Sequence, residues 1–460
     1  MKNTPLRYAS AIAARIMART SSMLRLAAVV LLSFALSTTA AAQVRTDEGN
    51  AAAIVSDRNL AGCNYTSYFT LRNHFALLGD TLLTPAPEGY EAFYVSTYAR
   101  HGSRFMLKPE QYSRPISFLS TAARRHQLTP RGHVLLQQLN LLRRFCPDEQ
   151  LGVLTDVGRQ QHRSIAHRLC TNYPSVFDAE GDILAQSSSS ERCVISMQEA
   201  ASVVSLLTGS EVQQLYGHSD VQHRIAGSYS SDEMKALEDS VKELYSADQL
   251  ANVPYASFCD TLFRSDSWAR PELFCTFCID VFHLAQNVQS HAFDINLWDF
   301  FTAEEIAALC AIDNRYWYHR LGASPATRRL MPQKARPQLR DIIAGADSIV
   351  SRQNWHGANL RYGHDLCLLP LACLMQLGTC GTSISEDAIG SLDRFWRCQE
   401  IFPMAGNIQL VFYRPLSGSG DVLVKALLNE REVALPAAPF DGPYYRWKDV
   451  REQWMQELGE

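Results

Sequence analysis

The segment Phe93-Tyr94-Val95-Ser96-Thr97-Tyr98 is β-branched and aromatic, and it runs directly into Ala99-Arg100-His101-Gly102-Ser103-Arg104. Residues of the first kind favour a pleated, buried strand. A strand that delivers arginine, histidine and a second arginine at its carboxyl end points to one kind of fold. In open α/β sheets, ligands sit beyond the carboxyl ends of the strands. Gly102 permits a tight turn and close backbone approach. Two guanidinium forks match phosphate oxygens in bidentate fashion. They would also disfavour protonation of the histidine between them, which could then attack phosphorus. Arg-His-Gly taken alone is equally a solvated surface loop; Arg-His-Gly-x-Arg after a strand is much more specific.

The rest of the chain mixes strands and helices. Short strands are expected at 183–185 and 408–413, and 422–427 with 433–435 reads as a late hairpin. A helix over 155–170 opens with Thr155 as its cap. Ser230-Ser231-Asp232-Glu233 reads as a capping box leading into Met234, Leu237, Val241 and Leu244 at helical spacing. Thr302-Ala303-Glu304-Glu305 is a second box, followed by Ile306 and Leu309. Strands alternating with helices predict an α/β fold with a largely parallel sheet flanked by helices. Residues 215–350 carry helical signals and few strand signals. The expected organisation is therefore an α/β catalytic domain of residues 43–214 and 351–460, with 215–350 as a mostly helical insertion. The short serine tract 187–190 reads as a strand-end loop.

The first 25 residues carry Lys2, Arg7, Arg15, Arg19 and Arg25 and no acid. An apolar run from Leu26 to Leu36 and a small-residue stretch ending at Ala42 follow. This is the layout of a secretory signal, expected to be cleaved after Ala42, with the apolar run too short for a membrane span. The chain is therefore expected to be exported, whether periplasmic, extracellular or surface-associated. Twelve cysteines in an exported chain read first as disulfides, with the pairing left open. Cys275-x-x-Cys278 has no second pair at zinc-ribbon spacing. Asn64-Tyr65-Thr66 is a glycosylation sequon that matters in a eukaryotic host. A net charge of −4 argues against a general nucleic-acid binder.

Four segments together resemble the histidine phosphatase superfamily, in the branch of acid phosphatases and phytases. Arg100 to Arg104 match its Arg-His-Gly-x-Arg signature, and Leu154-Thr155-x-x-Gly158 its helix opening. Ser190-Glu191-Arg192-Cys193-Val194-Ile195-Ser196 and Leu360-Arg361-Tyr362-Gly363-His364-Asp365 are similar to its later elements. Phe300 to Gly322 and Leu427-Leu428-Asn429-Glu430 are also similar to secreted members. Tyr98, Arg192-Cys193 and Arg361 to His364 favour the multiple inositol-polyphosphate phosphatases. Met106 stands where the family has Pro, and His364-Asp365-Leu366 replaces that group's His-Ala-Glu.

The resemblance implies a phosphoglycerate mutase-like sheet and a phosphoric monoester hydrolase needing no cofactor and no metal. It implies that Arg100, Arg104, Arg192 and His364 bind the phosphoryl group and that His101 attacks phosphorus. Asp365 would protonate the leaving alcohol, which favours an acidic to neutral optimum. The expected partner is a small phosphorylated molecule. The cations Arg104, Lys108, Arg114, Arg124, Arg125, Arg131, Arg143 and Arg144, against the single acid Glu110, would draw a polyanion such as phytate if part of the run lined a cleft. Three readings compete: an inositol-polyphosphate phosphatase, a broad acid phosphatase, and an inactive phosphate-ester-binding protein. The signal and the C-terminal His-Asp disfavour a mutase of the other branch.

Overall fold

The computed structural model describes residues 72, 82–352 and 354–460. The expected signal at 1–42, Cys63 and the Asn64 sequon lie outside the described residues. The described chain begins with strand β1 (Tyr90–Arg100), helices α1 (Glu110–Arg124), α2 (Pro130–Phe145) and α3 (Asp156–Asn172), strand β2 (Asp182–Ser187), helix α4 (Glu191–Thr208) and strand β3 (Val212–Leu215). Helices α5 (Ser219–Ala226), α6 (Asp232–Asn252), α7 (Tyr255–Asp260), α8 (Pro271–Val288), α9 (Ala303–Leu321) and α10 (Arg336–Val350) follow. Then come β4 (Gly357–Gly363), α11 (Asp365–Leu374), α12 (Cys398–Ile401), β5 (Asn407–Pro415), β6 (Leu423–Leu428), β7 (Arg431–Val433), β8 (Pro439–Asp441), β9 (Tyr444–Arg446) and α13 (Trp447–Leu458).

The strands form one sheet in the order β3-β2-β4-β1-β5-β6-β9-β8, with β7 paired to β6. From β3 to β1 the pairing is parallel, and from β1 onward it is antiparallel. The α/β fold expected from the sequence is present, with its parallel block where the Arg-His-Gly segment ends. β1 is buried on both faces, as its near-continuous apolar run requires. Val95 and Ala99 face the core built with α3 and α4. Tyr94 and Tyr98 face the opposite core, built with α10, α11 and α13. A third apolar core joins α1, α2 and α8 with the start of α9.

Thr155 caps α3 by accepting from the Gly158 N–H at 3.1 Å, and Thr302 with Glu305 forms the full reciprocal box on α9. The first proposed box does not form, because with Ser231 as the cap the reciprocating position is Met234. Ser231, not Ser230, caps α6 by accepting from the Met234 N–H. That choice puts Asp232 and Glu233 in the first turn, where the exposed N–H groups of the helix favour anions.

The disulfide expectation is met at Cys398, which is disulfide-bonded, and changes for most of the other described cysteines. Cys146, Cys170, Cys193, Cys259, Cys275, Cys278, Cys367, Cys373 and Cys380 are buried free thiols. Except for Cys193, they are spread over the three apolar cores, where a thiol packs as a small hydrophobe. Among the described residues no group of three His, Cys, Asp or Glu side chains gathers as a metal site, and no helix is long and apolar enough to cross a membrane.

The C-terminal helix closes the α10–α11 face through Trp454. It is fully buried, lies edge-on to Trp447, and donates its Nε1–H to the Met375 carbonyl at 3.1 Å. Trp454→Ala should lower the unfolding free energy in denaturant titration by about 3–5 kcal/mol, through cavity formation and an orphaned carbonyl. A loss under about 1 kcal/mol would mean that α13 contributes little to that core.

Candidate active site

The site grows out of the pairing of β1 with β4. Arg100 lies opposite Gly363 in parallel register, and the His101 N–H donates to the Gly363 carbonyl at 2.9 Å. The last residue of β1 and the loop after it therefore run beside Gly363-His364-Asp365. Gly363 is required by its neighbour, since a Cβ there would sit 2.0 Å from the Tyr98 hydroxyl. Tyr98 is fully buried and donates to the Ile225 carbonyl at 2.7 Å.

The Leu154-Thr155-x-x-Gly158 segment is the other wall. The Thr155 N–H donates to the Ser103 carbonyl at 2.9 Å, bringing the start of α3 against the Arg-His-Gly loop. A Cβ on Gly102 would lie 2.4 Å from the Gly158 carbonyl oxygen, and one on Gly158 would lie 2.2 Å from that of Ser103. Two glycines thus let two backbones touch. Gln161, one turn further along α3, accepts from the Ser103 N–H at 2.9 Å and donates to the Ser103 hydroxyl at 3.0 Å.

The structure brings the six candidate residues together. Arg100 donates to Asp365 Oδ2 at 3.2 Å and to the Phe402 carbonyl at 2.7 Å. The His101 and His364 rings lie 5.7 Å apart, edge to face. Arg192 Nη2 is 3.4 Å from His364 Nδ1, and the Ser188 hydroxyl is 3.0 Å from His364 Nε2. Arg104 lies close enough to act electrostatically on His101, Arg192 and Asp365. Arg100, His101 and Arg104 are buried, while Arg192, His364 and Asp365 are partly exposed. The cluster is therefore reached from the Arg192–Asp365 side.

The hydrogen bonds determine the state of His101. Its Nδ1 lies 2.9 Å from the Gly102 carbonyl, which can only accept. Nδ1 therefore carries the proton, and in the neutral ring the lone pair is on Nε2. Burial, then the charges of Arg100, Arg104 and Arg192, hold this imidazole well below the ordinary 6.5. Burial, with Arg192 next, pulls His364 down to about 4. Burial pushes the Asp365 carboxyl upward, but Arg100, Arg104 and His364 outweigh it, so the carboxyl is held below its ordinary value and is ionised in the free site.

The basic run is divided by the fold. Arg114 makes a two-pronged ion pair with Asp280 of α8, and Arg143 pairs with Asp148. Arg125 donates to the Trp268 carbonyl at 2.8 Å, and Arg131 donates to the Asp299 carbonyl. These four are tied into the helical layer. Arg361, in the C-terminal segment, is also structural: it is buried, donates to Asp341 at 2.6 Å, and ties β4 to α10.

Sequence reasoning missed Ser188, Gln161 and the Phe402 carbonyl. Gln161 carried a signal: it is a polar residue on the face of α3 that also carries Ile165 and Leu169. Ser188 sat inside a serine tract read as a loop, and a backbone carbonyl leaves no trace in residue identity.

Solved structures share this chain path. The Bifidobacterium longum multiple inositol polyphosphate phosphatase, complexed with inositol hexasulfate, aligns with a TM-score of 0.67 at 16% identity, over 82% of this chain and 94% of that one. A phytase from D. castellii aligns with a TM-score of 0.62 at 14% identity, over 82% and 81%. A Hafnia alvei phytase in complex with tartrate aligns with 0.51 at 10% identity, over 81% and 98%. No protein-family model and no curated protein matches the chain. The chain has the fold of the histidine acid phosphatases and phytases.

Gly158→Ala should cost about 1–3 kcal/mol in denaturant unfolding, because the added methyl meets backbone that cannot swing away. An unchanged unfolding midpoint would show that the loop can retreat freely.

Proposed function

We propose that this protein is an exported phosphoric monoester hydrolase that cleaves phosphomonoesters, inositol polyphosphates such as phytate among them, through a phosphohistidine at His101. The observation that carries the reading is the His101 imidazole, held neutral with its lone pair on Nε2 among Arg100, Arg104 and Arg192. In this reading the guanidinium groups bind the phosphoryl oxygens and neutralise charge in the transition state. His101 Nε2 forms a bond to phosphorus as the ester P–O bond breaks, and the departing alkoxide takes a proton from Asp365. Water then loses a proton to the Asp365 carboxylate and attacks phosphorus. This frees phosphate and restores the imidazole.

Asp365 has to gain its proton on substrate binding. A phosphoryl dianion competes for Arg100 and adds negative charge beside the carboxylate. Both effects remove what holds Asp365 ionised in the free site and leave burial to raise it. The same added charge favours a protonated His364 donating to the phosphoryl group.

The polyanionic substrate is supported by the inositol hexasulfate complex of the similar bacterial phosphatase. Broad acid phosphatase activity is the second reading; His364-Asp365-Leu366 follows a pattern common to acid phosphatases and classical phytases and fits both readings. Export is proposed from the pattern of residues 1–42, and the division into 43–214 with 351–460 and an insertion at 215–350 stands as part of the same proposal.

Phosphate release from phytate and from a small aryl phosphate tests the reading. Wild-type protein should release phosphate from phytate, and His101→Ala should lose at least about a thousandfold in rate. Comparable rates on both esters would favour the broad phosphatase. No release from any monoester would leave an inactive phosphate-ester-binding protein.

The pH dependence follows from the depressed His101. A lowered folded-state pKa keeps the nucleophile unprotonated into acid, and kcat/KM reports the free enzyme. From about pH 7 down to about pH 5, kcat/KM should show no fall with a midpoint near the ordinary histidine value of 6.5. A fall centred there would show His101 to be solvated and the proposed environment to be wrong.

A further inference from the structure

The β6–β7 turn contains two non-glycine residues in the left-handed region, Asn429 at φ +53° and Glu430 at φ +63°. Asparagine tolerates that conformation better than most residues, but tolerance does not explain what its side chain does. Asn429 is 1% exposed. Its Nδ2 donates to the Glu400 carbonyl at 2.6 Å and to the Ile401 carbonyl at 3.2 Å. Its Oδ1 accepts from the Asn407 N–H at 2.9 Å, and its own N–H donates to the Asn407 carbonyl at 2.7 Å. One side chain therefore grips both ends of the segment 401–407.

That segment contacts the reacting loop three times. The Phe402 carbonyl accepts from Arg100 Nη1 at 2.7 Å. The Ala405 N–H donates to the His101 carbonyl at 3.0 Å, and the Gly406 carbonyl accepts the Arg100 N–H at 2.8 Å. Ala405 is itself at φ +61°, a conformation that would relax if the segment were released. The turn is anchored in turn by Glu430, which takes hydrogen bonds from Arg168 of α3 at 2.8 to 3.0 Å.

We propose that Asn429 is a positioning residue for phosphoryl transfer: its amide clamps 401–407, and that segment holds the Arg100 fork and the His101 backbone in place. Asn429 touches none of the reacting atoms and acts through the segment. The proposal rests on the reading of His101 as nucleophile.

Two substitutions separate positioning from folding. Asn429→Gly keeps the left-handed turn at no steric cost and removes the clamp. Asn429→Asp keeps the size and the acceptor for the Asn407 N–H, but sets a carboxylate oxygen against two carbonyls. Both should fold, with melting followed by circular dichroism. Assayed well below melting, both should show kcat lowered about 10–100-fold, because small misplacement of a reacting group is costly. KM should stay within about threefold, since Arg104 and Arg192 lie outside the segment. Unchanged kcat, a loss matched by the unfolded fraction, or failure of both variants to fold would each overturn the positioning role. A wild type silent on every monoester would instead sink the phosphatase reading, whereas an active wild type with unaltered variants sinks only the role of Asn429.

Discussion

The parallel pairing of β1 with β4 is the constraint on which the site depends. It sets Arg100 opposite Gly363 and ends with the His101 N–H on the Gly363 carbonyl. The residues after each strand then leave the sheet side by side. A slip of one residue would turn every side chain of β4 to the other face. It would carry His364 and Asp365 away from His101 and bury Arg361 without Asp341. Ala358, Leu360 and Tyr362 of β4 pack in the core with α3 and α4, so such a slip would drive Asn359 and Arg361 into that apolar core, and the register is strongly specified.

The electrostatics follow from that placement. Arg100 is fully buried, and an unpaired charge there would be costly. Its guanidinium donates to the Phe402 carbonyl and pairs with Asp365. The cation that would grip an anion is therefore already rigid and already desolvated, so little reorganisation is needed when charge arrives. Burial and then this positive charge keep His101 neutral, and the same charge keeps Asp365 ionised in the free site. A phosphoryl dianion would reverse the balance at Asp365 while leaving Nε2 of His101 available. One charge distribution thus serves two titrating groups in opposite ways.

The glycines show how far residue identity reads through to geometry. Gly102 and Gly158 sit in segments singled out from sequence, and each is explained by backbone atoms that a side chain would strike. Thr155 and Thr302 were readable because caps are local, with donor and acceptor a few residues apart. Ser231 replaced Ser230 because two adjacent hydroxyls offer the same local chemistry and the position of the first turn decides between them. The buried free thiols were misread because the redox argument is statistical, whereas all of them but Cys193 are placed by packing in the apolar cores. The basic run was legible only in part: charge count is visible in sequence, but Arg114, tied to Asp280, and Arg104, beside His101, look alike there.

The sequence by itself determined the strand that carries Arg100 and His101, the Thr155 and Thr302 caps, the α/β class, and six residues whose chemistry suits a phosphoryl group. These depend on neighbours within a few positions or on the intrinsic chemistry of a side chain. Only the tertiary structure decided that positions 100, 192 and 365 meet, that the His101 proton rests on Nδ1, and that Asn429 reaches 401–407 from a distant turn. Those outcomes depend on sheet order, on register and on backbone carbonyls. A carbonyl is the same in every residue, so its use cannot be read until the chain has folded around it.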